Sequence, residues 1–402
     1  MNYRMQAFEG FDQVSAEDWH LVWSGSVAPS PFMHIGFLRA LEQSGSITAK
    51  TGWQPQPLML FDDNNQPVAA AALYAKGHSH GEFVFDWSWA NAFEQAGRRY
   101  YPKWLVASPV SPVPGSRLLA TDPDAQKALA SALTEVARQS GLSSAHLLFG
   151  TPEDHAALSQ LGWLQREGVQ FHWFNRGYQD FEEFLSTLTQ PKRKKIRAER
   201  RRVRESGVEC RMICGPEISE ADWDHFYACY SRTYYEHGNP PYLNREFFSL
   251  LHAALPQSCA MAVAHADNPR RPIAAALLLL DLETEANTNP GASHSVGAHA
   301  RPRAAYGRYW GALEHVPMLH FELSYYTPLE WAIANGIARF EGGAQGEHKM
   351  ARGFEPIRTY SSHWLADGDF RVAVDRFLQR EGMGMAHYRS ELEERLPFKT
   401  SP

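Results

Sequence analysis

The sequence predicts an α/β protein that is built from two similar units in tandem. The chain of 402 residues is long enough for two or three domains. Short apolar strands alternate with amphipathic helices along its length. The two halves also end alike: eight residues separate Gly162-Trp163 from His172-Trp173, and eight residues separate Gly353-Phe354 from His363-Trp364. Because a helix, a glycine, a buried strand and a polar loop precede both patterns, a duplicated unit is favoured.

The first unit is expected to span residues 1–175 and to hold a mixed sheet flanked by helices. Strands are predicted where β-branched and aromatic residues stand between Gly, Asn and Asp turns. These runs lie at 68–74, 82–87, 103–108, 145–149 and 167–175. Helices are predicted at 121–140 and 152–161, and a glycine follows each, as is common at helix ends.

The second unit is expected to span residues 176–365. The i, i+3, i+4, i+7 spacing of Phe181, Phe184, Leu185 and Leu188 predicts an amphipathic helix at its start. Further helices are predicted at 191–206, 222–235, 244–254 and 328–335, and strands at 273–282, 319–325, 337–341 and 359–365. The small polar residues 283–302 are typical of a flexible insertion, and residues 366–402 of a charged helical tail.

Composition excludes several classes of protein. Hydrophobic residues make up 44% and charged residues 21%, which excludes a disordered or fibrous chain. The longest clearly apolar run, 273–280, is shorter than the ~18–20 residues of a membrane helix, so no membrane span is expected. Residues 1–10 do not resemble a signal peptide. Four cysteines are too few for a disulfide scaffold, so a cytoplasmic location is expected.

Positive charge is concentrated in one segment. Net charge is −6, yet residues 192–204 carry nine basic side chains and one acid, Glu199. The basic residues are Lys192, Arg193, Lys194, Lys195, Arg197, Arg200, Arg201, Arg202 and Arg204. Pro191 in the first turn and Gly207 at the exit suit a helix. Two interpretations stay open: the cations bind an anionic ligand, or they form a solvated face paired with acids from elsewhere.

A polar, glycine-rich loop follows the strand predicted at 337–341. Its candidate functional residues are Glu341, Gln345, Glu347, His348, Lys349 and Arg352. Glycines let the backbone approach a ligand. Carboxylates, an imidazole and cations can supply a general base and a partner for an oxyanion or a phosphate. The alternative is a tight solvated turn.

A second polar concentration lies around Arg308 and along the strand predicted at 319–325. Alternation places His320, Glu322 and Ser324 on one face of that strand. A carboxylate on a core strand needs a partner, for which Arg308 is available. Both acid–base chemistry by Glu322 or a nearby tyrosine and a structural ion pair fit this pattern.

A third patch combines aromatic and Arg side chains at 85–89 and 98–101 with a Pro-rich stretch at 108–117. Such residues suit the wall of a substrate cleft or a seam between domains. Nucleotide-binding motifs are missing, since the sequence has no Walker loop and no Gly-x-Gly-x-x-Gly after a strand. His78-Ser-His80 has no neighbouring Cys or acid, so no metal site is expected.

Several motifs together resemble one known family. The basic helix with its exit at Gly207-Val208 is similar to that of Fem-type non-ribosomal peptidyltransferases. A fuller set, spread from about residue 30 to 365, resembles the FemAB-like family linked to peptidoglycan biosynthesis or recognition. These motifs are Ser30-Pro-Phe-Met-His34, Thr51-Gly-Trp-Gln-Pro55, Phe85-Asp-Trp87, Gln170-Phe-His-Trp173, Tyr306-Gly-Arg-Tyr-Trp-Gly311 and Gly343-Ala-Gln-Gly-Glu-His-Lys349.

The resemblance implies the GNAT-like acyltransferase superfamily, and hence two tandem GNAT-like units. It also implies transfer of an acyl or aminoacyl group to an amine, with acyl-CoA or aminoacyl-tRNA as co-substrate and no tightly bound cofactor. Two departures bear on the donor. The chain has no recognisable pyrophosphate-binding loop of the usual GNAT type, and it has no coiled-coil arm like that of some Fem proteins.

The leading hypothesis is an N-acyltransferase that acts on a small molecule or a cell-wall precursor, with tRNA as a further candidate partner. Glu347 or His348 would accept the amine proton, Lys349 would stabilise the oxyanion, and Glu322 is a further candidate catalytic residue. The residues expected to bind substrate or phosphate are Lys192, Arg193, Lys195, Arg197, Arg200, Arg308, Gln345, Arg352, Tyr325 and Tyr326. The alternative is a non-catalytic protein that binds an anionic cell-wall precursor or a nucleic acid. The oligomeric state and the unit that carries the site stay open.

Overall fold

A computed structural model describes residues 3–266, 271–282, 302–344 and 346–399 of the chain. Two compact units are present: the first comprises Met1–Val169 and Arg358–Ser390, and the second comprises Gln170–Ile357 and Glu391–Pro402. The units predicted from the sequence divide the chain differently, since they end at 175 and 365 and leave 366–402 as a tail. The predicted insertion, apart from the start of a strand at residue 302, and Gln345 lie outside the described residues.

The first unit contains two sheets. Its strands are β1 (Arg4–Ala7), β2 (Trp53–Pro55), β3 (Leu58–Phe61), β4 (Pro67–Ala71), β5 (Leu73–Lys76), β6 (Lys103–Val106), β7 (Leu119–Ala120) and β8 (Ser144–Gly150). In addition, β9 (Leu164–Phe174) begins here and β15 (Glu355–Leu365) ends here. One sheet has the antiparallel order β1-β3-β4-β7. The other has the order β2-β5-β6-β8-β15, in which β6 and β8 run parallel and the other neighbours antiparallel.

Helices cover the sheets of the first unit. They are α1 (Ala16–Gly25), α2 (Ile35–Gln43), α3 (Trp87–Gln95), α4 (Pro123–Gln139), α5 (Pro152–Gln160) and most of α12 (Gly368–Glu394). Helix α4 begins where the Asp122 carboxylate accepts hydrogen bonds from two backbone N–H groups of its first turn. Its buried Leu129 and Leu133 belong to the same apolar cluster as Leu147 of β8, which fixes the helix on the sheet.

The first unit also encloses the Lys103 cluster, which consists of Lys103, Glu82, Asp86 and Ser79. The fully buried ammonium of Lys103 donates to Glu82 at 2.8 Å, to Asp86 at 2.5 Å and to the Ser79 hydroxyl at 2.9 Å. The strand predicted at 82–87 is wrong, because this segment is a loop that leads into α3. Its two carboxylates turn inward to pair with the lysine, a long-range contact that propensity does not reveal.

The second unit contains one described sheet. Its strands are β10 (Glu209–Cys214), β11 (Cys259–His265), β12 (Pro272–Leu282), β13 (Pro302–Ala312), β14 (Arg339–Glu341) and the end of β9. Their order is β10-β11-β12-β13-β14-β9, in which β13 and β14 run parallel and the other neighbours antiparallel. The helices are α6 (Phe181–Thr187), α7 (Gln190–Glu205), α8 (Glu220–Glu236), α9 (Arg245–Ala254), α10 (Leu319–Phe321) and α11 (Thr327–Ala334). Among the described residues, none of the helices has both the length and the apolar character to cross a membrane.

The duplication predicted from the sequence is visible in the strands. Strands β9 and β15 each have eleven residues. Each follows a glycine in the left-handed conformation, Gly162 at φ 80° and Gly353 at φ 85°, and a buried aromatic residue, Trp163 or Phe354. In the first unit the chain runs from β8 through α5 into β9, but the strand that pairs with β8 is the end of β15. In the second unit the chain runs from β14 towards β15, but the strand that pairs with β14 is the end of β9. The predicted class, two α/β units that each have a mixed sheet flanked by helices, is confirmed.

The strand predicted at 319–325 is wrong. This segment is helical: α10 continues as a π-helical turn (Glu322–Tyr326) into α11. Aromatic residues favoured a strand, but Leu319 and Leu323 stand one helical turn apart and are both buried in the same apolar cluster. His320, Glu322 and Ser324 therefore do not share one face.

Candidate active site

An opening lies where the parallel pair β13–β14 ends. The two strands pair only from Ala304 to Tyr306, opposite Arg339 to Glu341. Beyond this point β13 continues along β12, while the chain after β14 turns away at Gly342. Strand β13 also bulges here, because Leu277 of β12 faces Tyr309 and Leu278 faces Gly307, so the register skips Arg308. The bulge and the strand end together leave a gap beside β13.

A cavity of about 140 Å³ occupies this gap. Its lining comes from β12, from the bulge of β13, from the helical segment 320–325 and from Gly342. His320 and Ser324, which are four residues apart on one helical face, both line it, whereas Glu322 does not. The hydroxyl of Ser324 is buried and, among the described residues, has no hydrogen-bond partner. The cavity thus contains polar groups that a small ligand can satisfy.

Lys349 belongs to a 3-10 turn (Glu347–Arg352), and its stem lies beside Gly342, which lines the cavity. Its side chain is 2% exposed, and its ammonium donates to the carbonyl oxygen of Gly343 at 2.7 Å. Burial first, and repulsion by Arg308 second, lower the pKa of Lys349 to about 7. A Cβ at Gly342 would lie 3.3 Å from Cε of Lys349 and 3.2 Å from a ring carbon of Tyr325, so the missing side chain lets the lysine pass.

Three further titratable groups lie at the cavity or next to it: Tyr325 and His320 line it, and His348 contacts Tyr325. The hydroxyl of Tyr325 lies 3.1 Å from Nε2 of His348. Burial raises the pKa of Tyr325 to about 12. Burial, together with the cations Arg352 and Lys349, lowers the pKa of His348. Burial and then repulsion by His348 lower the pKa of His320 to about 4. Both imidazoles are therefore mainly uncharged at neutral pH and can accept protons.

Arg352 and Tyr326, which were predicted to bind substrate or phosphate, contact Glu199 instead. The buried guanidinium of Arg352 donates to Glu199 at 2.9 Å and lies 3.5 Å from the ring centre of Phe321. The hydroxyl of Tyr326 also donates to this carboxylate. Glu199 is the one acid among the basic residues 192–204, and no other feature of the sequence indicated that it binds Arg352 and Tyr326. The three side chains connect α7 to the turn that carries Lys349.

Glu322 makes a second buried ion pair, with Arg200. The guanidinium Nε lies 3.1 Å from one carboxylate oxygen, and the hydroxyl of Thr327 donates to the same oxygen at 3.0 Å. Arg200 also binds Glu330 at 2.6 Å. The prediction that Arg308 is the partner of Glu322 is therefore wrong. Because the segment is helical, the side chain of Glu322 points towards α7 and away from β13. This arrangement favours the structural interpretation of Glu322.

The other cations of α7 divide into two groups. Arg197 pairs with Glu182, Arg201 lies 3.5 Å from Glu205, and Lys195 lies 3.9 Å from Glu199. Arg193 donates to the carbonyl oxygen of Leu188 at 2.6 Å. Four others have no ion pair among the described residues, and these are Lys192, Lys194, Arg202 and Arg204. The interpretation of a paired face thus applies to the first group. The interpretation of an anion-binding segment remains for the second group, whose cations are unpaired.

Glu347 lies on the solvent side of the 3-10 turn. Its carboxylate is 3.3 Å from the guanidinium of Arg395. His348 is exposed as well, but it contacts Tyr325, which lines the cavity. Of the two predicted proton acceptors, His348 is the one that contacts a cavity residue. Gln345 lies outside the described residues.

The corresponding place in the first unit is filled by its own chain. There the parallel pair β6–β8 ends at Val106 opposite Leu147. Beyond it, Nε of the fully buried Arg117 donates to the carbonyl oxygen of Leu148 at 3.1 Å, and the N–H of Gly115 donates to that of Phe149 at 3.0 Å. The Pro-rich stretch 108–117, expected to line a cleft or a seam, thus closes this gap. The open site is in the second unit.

Comparisons with known proteins agree with this architecture. The chain matches the model of the FemAB-like family, described as peptidoglycan biosynthesis/recognition, over residues 10–400. Comparison with curated proteins gives no match. The chain is similar to the C-terminal DUF2156 domain of a candidate lysylphosphatidylglycerol synthetase from Agrobacterium fabrum, with 12% identity and a TM-score of 0.50 over 89% of this chain and 94% of that one.

Two other solved structures are similar in fold. L-PGS from Bacillus licheniformis has 11% identity and a TM-score of 0.49, covering 85% of this chain and 96% of that one. A tandem GNAT protein from the clavulanic acid biosynthesis pathway has 12% identity and a TM-score of 0.43, covering 91% and 99%. The predicted class of two tandem α/β units agrees with the likeness in fold to the DUF2156 domain. Because the family model spans most of the sequence, the chain belongs to the FemAB-like family.

Proposed function

We propose that the second unit is an N-acyltransferase that moves an acyl or aminoacyl group from acyl-CoA or aminoacyl-tRNA to an amine of a cell-wall precursor. The observation that carries the proposal is the buried ammonium of Lys349 beside the gap between β13 and β14. Among the described residues its Nζ has one acceptor, so two of its three N–H donors remain for a substrate oxygen. The family description supports peptidoglycan chemistry.

The proposed reaction uses groups around the cavity. The amine nitrogen attacks the carbonyl carbon and forms the new C–N bond, while charged Lys349 donates hydrogen bonds to the carbonyl oxygen as it becomes negative. The surplus proton of the amine passes through the hydroxyl of Tyr325 to Nε2 of His348. The C–S bond of a thioester, or the C–O bond of an ester, then breaks. The leaving thiolate or alkoxide takes up the proton that His348 received, so charge and protons balance.

The unpaired cations of α7 support the proposal that the donor is a polyanion. Lys194, Arg202 and Arg204 are exposed, and each can contact a phosphate of CoA or tRNA. Glu347 and Glu322 receive no step in this proposal, because both are held in ion pairs.

The experiment that tests the proposal is a mass-spectrometric screen of the purified full chain. Acetyl-CoA, longer acyl-CoA thioesters and charged tRNA serve as donors, and amines that include a lysine-containing peptidoglycan precursor serve as acceptors. The proposal predicts an acceptor whose mass rises by that of the transferred group. Binding of a precursor with no product from either donor class would contradict it and would establish the non-catalytic alternative.

A further inference from the structure

A groove of about 530 Å³ lies in the second unit next to the cavity. It runs along the end of α8, the end of β13 and the segment 314–321. Apolar side chains form much of its lining: Trp310, Val316, Pro317, Met318, Leu319 and Phe321. The proposed function does not use these residues.

Two rings belong to both the groove and the cavity. Trp310 and His320 line each of them, and their ring centres are 4.9 Å apart. The cavity and the groove therefore adjoin at this ring pair. A single substrate that extends past the two rings would occupy both spaces.

The volumes of the cavity and the groove indicate which part of the substrate each can hold. Sites for whole small molecules are typically ≈ 300–1,000 Å³. The cavity, at about 140 Å³, has room for a reacting group only, whereas the groove, at about 530 Å³, has room for the remainder of the molecule.

Charges at the rim of the groove argue against a phosphate. Nε of Arg232 binds Glu236 at 2.7 Å, and Glu314 pairs with Arg271. Nδ1 of His237 lies 2.7 Å from the carbonyl oxygen of Thr233. A nucleoside diphosphate would place its negative charges beside two carboxylates, and the cations there are already engaged.

We infer that the groove binds an aliphatic chain of the substrate whose reacting group enters the cavity past Trp310 and His320. This inference rests on the proposed function for the identity of the reacting group, but not for the binding itself. Apolar chains gain from each methylene that leaves water, and the lining offers the surface for that contact.

The test is calorimetric titration of the full chain with a series of n-alkylamines from hexylamine to dodecylamine, without any donor. Each added methylene should tighten binding about fourfold until the groove is full, since burying one methylene contributes ≈ 0.8 kcal/mol and tenfold corresponds to 1.4 kcal/mol. No dependence on chain length in the wild type would overturn the inference.

The substitution Met318→Asn tests whether the aliphatic chain of the ligand lies in the groove. Met318 has a left-handed backbone at φ 68°, which asparagine tolerates, so the substitution places a polar amide in the groove without added strain. The gain per methylene should fall to about twofold or less. Met383→Asn, at a residue that is 69% exposed, is the matched control and should keep the full gain. An unchanged gain in Met318→Asn would overturn the inference. Chain-length dependence without any transfer product would leave the groove in place and contradict only the proposed function.

Discussion

Replacing Lys349 with methionine should make the folded protein more stable and remove its activity. Methionine keeps the length of the stem but carries no charge, so the folded state no longer holds a desolvated ammonium. The opposite directions of the two effects are informative, because a variant that is inactive through misfolding loses stability as well.

The magnitude follows from the pKa. Burial lowers the pKa of Lys349 from 10.5 to about 7, and one pKa unit corresponds to about 1.4 kcal/mol, so below pH 7 the charged group costs the folded state about 5 kcal/mol. Loss of the hydrogen bond to Gly343 leaves a carbonyl without this donor, which costs about 1–3 kcal/mol. The methionine variant should therefore be about 2–4 kcal/mol more stable than the wild type at about pH 6.

The sign of the pH dependence is fixed by the direction of the shift. Between pH 7 and 10.5 the folded protein releases the proton that the unfolded chain still holds, so wild-type stability rises with pH through this window. The advantage of the methionine variant should shrink by about 2 kcal/mol between about pH 6 and about pH 8.5. Titrating groups that Lys349 does not influence are common to both proteins and cancel in the difference, whereas His348 and His320, whose pKa values Lys349 lowers, add a smaller contribution.

Urea unfolding followed by tryptophan fluorescence measures this difference at both pH values. Lys50→Met, at an exposed lysine of the first unit, is the matched control and should show no pH-dependent difference from the wild type. A Lys349→Met variant that is less stable than the wild type at about pH 6, or a difference independent of pH, would refute the assignment of Lys349 as a desolvated amine.

Four further predictions concern other contacts. Lys103→Met leaves the two carboxylates of the Lys103 cluster buried without their cation and should cost about 3–5 kcal/mol in urea unfolding; a cost below about 1 kcal/mol would show that the cluster is solvated. Tyr325→Phe should lower kcat about 10²-fold at unchanged KM in steady-state assays, and an equal change in both constants would contradict its place in the proton path. Arg202→Ser combined with Arg204→Ser should reduce the log–log salt slope of tRNA binding by about 1.5, whereas an unchanged slope would exclude these phosphate contacts. Gly342→Ala should lower stability by about 1–3 kcal/mol through contact with the rings of Phe354 and Tyr325 and with the Lys349 stem, and a neutral result in thermal unfolding would show that these side chains can move aside.

Local signals explain what the sequence predicted correctly. Helix α7 follows from its strong helix formers, its proline in the first turn and its exit glycine. The duplicated strands follow from the repeated Gly-aromatic and His-Trp pairs, since Gly162 and Gly353 both need a left-handed backbone that glycine adopts freely. Each of these features is encoded within a few residues.

Long-range contacts explain what the sequence could not predict. The segment 319–325 is rich in residues that favour strands, and only its packing on the core makes it helical. The partner of Glu322 is Arg200, more than a hundred positions earlier in the chain. The cavity depends on where β13 and β14 stop pairing, which is a property of register. Lys349 stood out through its polar neighbours and through the Gly343–Lys349 motif of the family resemblance, whereas its burial became apparent only from the fold.

Single-turnover transfer is the measurement that tests the central claim most directly. Each variant is first shown to be folded. Wild type, Lys349→Met and Lys50→Ala are then mixed, in excess, with the donor and the acceptor found by the screen, and the product is followed by mass spectrometry. The account predicts that Lys349→Met slows transfer about 10²–10³-fold, the range seen when one donor to an oxyanion is removed, while Lys50→Ala keeps the wild-type rate. Transfer by a folded Lys349→Met at the wild-type rate would contradict the assignment of the active site to the gap between β13 and β14.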